Sequence, residues 1–138
     1  MNRLTEAQME VARRLLAHEG VVGGADGYAG AAGRVYEKLH AHLAPLVGPA
    51  GVQALLVRSV KLRHTEFSFL EVAVLDSSTT LRECLQAQEP AVAIESAAAL
   101  FGTFFALINT FIGERLTAQV LRSAWPTIEE ASLRETSK

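Results

Sequence analysis

The residues of this chain best suited to chemistry are four histidines, at positions 18, 40, 42 and 64, a single cysteine, Cys84, and a few carboxylates near them. Glu37 and His40 stand three apart, the spacing with which a di-iron bundle presents a carboxylate and an imidazole from one helix. Such a centre needs two Glu-x-x-His pairs and two further glutamates on facing helices, and the sequence holds no second pair. His40 and His42 do not reinforce each other, because residues two apart on a helix point in different directions. We therefore expect these side chains on helix surfaces, with no metal site and no cofactor. Cys84 has no flanking signature of a nucleophilic thiol, which would also need a base and an electropositive pocket, and reads as a small core or boundary residue. No catalytic set is expected, because no acid, base and nucleophile converge by spacing.

The segment GVVGGADGYAG carries glycines at 20, 23, 24, 27 and 30. It lacks the Gly-Lys-Ser/Thr ending of a phosphate loop and has no clear strand before it, so its glycines serve a flexible connector. Two polar residues lie on the most apolar stretch, Glu95 and Asn109, and each would carry a desolvation cost if left unpaired. Both read as core-boundary residues, with Asn109 able to hydrogen-bond across helices. The aromatic residues Phe101, Phe104 and Phe105, with Asn109, Tyr36 and Trp125, form the candidate interface or pocket set.

The elements that would position these residues are helices. The chain has 138 residues, 49% hydrophobic and 20% charged, which suits one self-supporting domain with a single core. The formal net charge of −2 gives no global field to draw the protein to nucleic acid. A lone cysteine rules out an internal disulfide, and the opening MNRLTEAQMEVARR has no apolar signal-peptide core, so a cytoplasmic location is expected.

Thr5 and Gln8 form a capping box, with Leu4 and Met9 as a hydrophobic staple, for a first helix over about residues 6–18 that Gly20 closes. Val35, Leu39, Leu43 and Leu46 predict a second helix from near Tyr28 to Val47, with Pro45 imposing a kink or an early stop near His42. Pro49 opens a third, whose apolar set is Val52, Leu55, Leu56, Val60 and Leu62, with Arg58, Lys61 and Arg63 facing water. Val72–Leu75 is strand-like, and Ser78 or Thr79 caps a short helix through Gln88. Pro90 then starts the longest segment, which bends or breaks at Gly113 and stops at Pro126. Residues 1–4 and 127–138 are read as frayed tails.

Ser96–Gly113 is eighteen consecutive residues without a charge, the lower limit for a membrane span. Ser96, Thr103, Asn109 and Thr110 dilute it, and neither a basic cluster nor an aromatic belt flanks it, so a core helix is the preferred reading.

The stretches TFIGERLTAQVLRSAWP and RVYEKLHAHLAPLVGPAGVQALLVRSV together resemble a recurring type of short bacterial all-helical protein with no assigned activity. The resemblance covers roughly a third of the chain. It implies that the two blocks pack together as the invariant part of a helical unit, while the Gly-rich segment and residues 67–80 vary. It brings no activity, cofactor or catalytic residue. In the same blocks, Leu116, Val120, Leu121 and Trp125 read as core contacts, and Glu114 and Arg115 as partners for charges on the second or third helix.

The sequence thus predicts an all-α, compact bundle of five or six helices around a Phe-rich central helix. The expected role is a non-catalytic interaction or regulatory module with a protein partner or a second copy, as a homodimer. The alternatives are a bundle holding an apolar small ligand and a membrane-anchored protein spanning 96–113.

Overall fold

The computed structural model describes residues 6–23, 27–71 and 77–125. Among these the protein is an all-α bundle of six helices with no strand: α1 (Glu6–Gly23), α2 (Gly27–Val47), α3 (Pro49–Arg63), α4 (Ser78–Gln86), α5 (Pro90–Ile112) and α6 (Glu114–Ala124). The strand-like Val72–Leu75, the Thr5 capping box with its Leu4 staple, and the terminal segments fall outside the described residues.

Both α2 and α5 touch all five other helices, so the middle of the bundle is shared and does not belong to the Phe-rich helix alone. Near the C-terminal end of α1, Glu19 meets Arg34 and Lys38 of α2, whereas at its N-terminal end Met9 packs on Gly102 of α5 and Arg13 reaches Glu95 at 3.5 Å. Hence α1 runs antiparallel to both, and α2 and α5 are parallel. Their C-terminal ends lie at the same end of the bundle.

At that end the chain turns twice through the same corner. Gly48 (φ 84°, ψ 151°) joins α2 to α3, and Gly113 (φ 95°, ψ 155°) joins α5 to α6. Each glycine amide donates to the carbonyl four residues back, Ala44 at 2.8 Å and Asn109 at 2.9 Å. Each glycine carbonyl then accepts the first bond of the next helix, from Val52 at 3.0 Å and Thr117 at 3.1 Å. This backbone conformation is nearly exclusive to glycine, which is why both long segments break where they do. The break at Gly113 agrees with the sequence expectation.

Boundaries of α1 and α4 differ from expectation, while α2 ends at Val47 as its apolar period predicts, without the early stop. α1 continues through Gly20 to Gly23, because α2 packs along it and the Arg34 guanidinium donates to the Glu19 carbonyl at 2.9 Å; these contacts outweigh a glycine penalty of about 1 kcal/mol. The flexible connector is accordingly shorter than its glycines suggest, since α2 already starts at Gly27. Pro45 does not stop α2 at His42; Pro45 and Ala41 are both exposed, so the carbonyl deprived of its helical donor faces water. The cap of α4 is Ser77, one residue before the expected Ser78 or Thr79, with its hydroxyl accepting from the Thr80 amide at 3.1 Å, and the helix ends at Gln86 rather than at the expected Gln88.

The core is one cluster drawn from every helix, with Leu39, Leu43, Leu56, Leu81, Leu85, Phe101, Phe104, Ile108 and Trp125 among its most buried side chains. Arg63 is a correction to the sequence reading. It lies on the core face of α3 in line with Leu56 and Val60, is buried, and is held by Glu66 at 3.1 Å.

Candidate functional site

The strongest polar constellation centres on a residue that the sequence reading passed over, Glu19. Its side chain is buried in the last turns of α1, where it collects partners from two other segments. Lys38 donates to Oε2 at 2.5 Å, the Trp125 indole Nε1–H donates to the same oxygen at 2.6 Å, and Arg34 Nε lies 3.4 Å from Oε1. Lys38 also sits 5.5 Å above the centre of the Trp125 ring, so one ammonium serves both a carboxylate and an aromatic face.

Each placement has a local cause. Arg34 and Lys38 are four apart on α2 and share a face, where two cations repel unless an anion lies between them. Trp125 caps the end of α6, its amide bonded to the Leu121 carbonyl at 2.8 Å, and its indole reaches Glu19 near the C-terminal end of α1. A buried indole needs an acceptor, and Glu19 supplies it. Burial is the largest influence on the Glu19 carboxyl and pushes its pKa up; the hydrogen bonds from Lys38 and Trp125, with the charges of Lys38 and His18, outweigh burial and hold it below the ordinary value. The cluster is thus an ionised carboxylate inside a cationic clasp. Its lone pairs are engaged, which suits joining α1, α2 and α6 and does not suit attacking a substrate.

The residues singled out by sequence disperse. Phe101, Phe104 and Phe105 are core residues at 0%, 0% and 2% exposure, so they form no face left over once the core closes, contrary to their reading as an interface. α5 packs against all five other helices, which leaves these rings enclosed. Tyr36 and Trp125 turn to different partners, Tyr36 to α3 and Trp125 to α1. The Tyr36 hydroxyl donates to Gln53 Oε1 at 3.4 Å, an oxygen that also lies 3.1 Å from His40 Nε2, and the Tyr36 and His40 rings are 4.8 Å apart. Asn109 is half-buried near the Gly113 corner. Glu95 is exposed and faces Arg13, while Glu114 and Arg115 are exposed at the start of α6.

The Glu37 and His40 pair diverges, since Glu37 accepts from the Ser78 hydroxyl of α4 at 2.5 Å while His40 turns to α3. Among the described residues no three His, Cys, Asp or Glu side chains gather in a metal-holding group. Cys84 sits at the core boundary, where burial first and the Glu71 charge second push its thiol pKa up, away from the reactive thiolate.

Sequence could have pointed to Glu19 through one signal, the like-charged pair Arg34 and Lys38 on a helix that must be buried on most sides. The pairing itself joins residues 106 positions apart and has no local signature.

Among the described residues, the large apolar side chains left exposed are Leu46, Val92 and Phe111. Phe111 and Leu46, 65% and 47% exposed, each stand two residues before a corner glycine and therefore at the same end of the bundle. The outer face of α3 carries an open hollow of about 350 Å³ lined by Ala54, Val57, Arg58, Lys61 and Leu62. By length and composition, α5 is also apolar enough to cross a membrane, and 67% of its most apolar 18-residue window is buried within the fold; core helices and spans meet this criterion alike. Comparison of the chain with family models, curated proteins and solved structures finds no match.

Proposed function

We propose that the protein is a small, non-catalytic cytoplasmic interaction module that associates with a second copy of itself through the end of the bundle bearing Phe111 and Leu46. The observation that carries this reading is the exposure of Phe111, whose neighbours in sequence, Glu114 and Arg115, are also exposed. An apolar centre flanked by one acid and one base is self-complementary across a two-fold axis, because each Glu114 can meet the other copy's Arg115. Burial of an aromatic anchor at the middle of such a patch is the usual source of most of the affinity. The engaged polar atoms of Tyr36 and Trp125 leave fewer handles for an apolar ligand, which favours a surface role. A lone cysteine fits a reducing compartment.

The test is size-exclusion chromatography with light scattering, in buffer without detergent, on the parent chain and on Phe111→Ser. A parent dimer that becomes monomeric in Phe111→Ser, with an unchanged circular dichroism spectrum, is expected. A parent that stays monomeric at tens of micromolar, or a variant that stays dimeric, overturns the assignment. Material recovered only in detergent would instead favour α5 as a membrane span.

A further inference from the structure

The outer face of α3 points to a second docking surface, and we infer that it receives an acidic amphipathic helix from a partner protein. A surface helix ordinarily turns its apolar residues inward and its polar residues out. α3 departs from that rule. Val52, Leu56 and Val60 are buried inward, yet Ala50 and Ala54 are exposed on the opposite side, and Val57 and Leu62 are half-exposed beside them.

These outward residues follow helical spacing. Ala50, Ala54, Arg58 and Lys61 succeed one another at four, four and three residues, with Val57 and Leu62 as the walls. Ala54 has the shortest of the side chains that line the hollow. A ridge of side chains on another helix fits such a depression, as in helix-in-groove recognition.

The charge of the surface selects the occupant. Arg58 and Lys61 are the only charged residues lining the hollow, and neither has a carboxylate partner among the described residues. A partner with Leu or Ile along one stripe and Glu or Asp beside it would place its apolar groups against Ala54, Val57 and Leu62 and its carboxylates against the two cations. A second copy of this α3 is a poorer fit. A two-fold axis through the hollow would bring Arg58 and Lys61 against the same cations. The hollow begins at Ala54, more than one turn of α3 beyond the Gly48 corner, and uses neither Phe111 nor Leu46, so its test does not depend on whether the chain dimerises there.

The experiment uses the full chain labelled with ¹⁵N and two synthetic amphipathic helices of about twenty residues, long enough to hold helical structure, with the same leucine stripe. One carries glutamates beside the stripe and the other lysines. The glutamate peptide should shift amide resonances of residues 54–62, and its affinity should fall as salt rises. Arg58→Glu with Lys61→Glu, both at exposed positions, should weaken that peptide by about tenfold and improve binding of the lysine peptide. Shifts confined to another face, equal binding of the two peptides, or an unchanged affinity in a folded double variant would overturn the inference. So would binding to phosphatidylserine vesicles without peptide binding, which would assign the face to a lipid surface.

Discussion

Glu19→Ala should be among the most damaging single substitutions of a polar residue in this protein. The carboxylate is 2% exposed, so removing it strands the groups around it, and their own exposure sets the cost. Trp125 is 1% exposed and has no water with which to replace its acceptor, so its orphaned Nε1–H should cost roughly 1–3 kcal/mol. Lys38 and Arg34 keep 39% and 28% of their side-chain surface. They can rehydrate, which reduces the roughly 3–5 kcal/mol typical of breaking a fully buried pair to about 1–2 kcal/mol. The sum is about 3 kcal/mol, or a fall in Tm of about 10 °C for a domain of this size. Glu19→Gln keeps an oxygen for the indole and loses only the charge, so it should cost about 1–2 kcal/mol. Urea unfolding followed by circular dichroism measures both, and the fluorescence of the single tryptophan reports the same cluster directly. In a double-mutant cycle with Trp125→Phe, coupling of about 1 kcal/mol or more is expected. A Glu19→Ala chain within about 0.5 kcal/mol of the parent, or additive losses in the cycle, would refute the clasp as a stabilising unit.

Further outcomes follow from the same geometry. Because the folded Glu19 pKa is depressed, its contribution is complete above the unfolded value of about 4.3 and lost as pH falls through the folded value, so acid unfolding curves of Glu19→Gln should show a shallower loss of stability below that point. Gly113→Ala and Gly48→Ala should each cost about 1–3 kcal/mol in urea unfolding, purely from backbone conformation, since a Cβ at either site meets nothing within 4 Å. Native Cys84 should react with a thiol reagent at neutral pH at least about tenfold more slowly than in urea, and the gap should persist in mild alkali because its thiol pKa is raised.

Much of the architecture was legible in the sequence because it rests on local stereochemistry. Pro49 and Pro90 start helices where a missing amide costs nothing, and Gly48 and Gly113 end them in a conformation other residues avoid. The apolar periods of α2 and α3 marked Leu39 and Leu56 for the core in the same local way. What local rules mispredicted lies where packing competes with propensity. Gly20 looks like a helix stop but is carried through by the contacts of α1 with α2, and Arg63 looks solvated but lies on the inward stripe of α3.

The candidate sites were the least legible part. Phe101, Phe104 and Phe105 could be recognised as apolar, yet whether they face a core or a partner depends on how many helices surround α5. Glu19 could not be distinguished from any other glutamate near a helix end, because its burial is produced by Arg34, Lys38 and Trp125 arriving from two other parts of the chain. The sequence by itself determined that the chain is helical and where proline and glycine start or stop α3, α5 and α6, since those depend on backbone stereochemistry within a few residues. Only the tertiary structure decided which charge is enclosed and which apolar faces remain open, because burial is a property of neighbours that are distant along the chain.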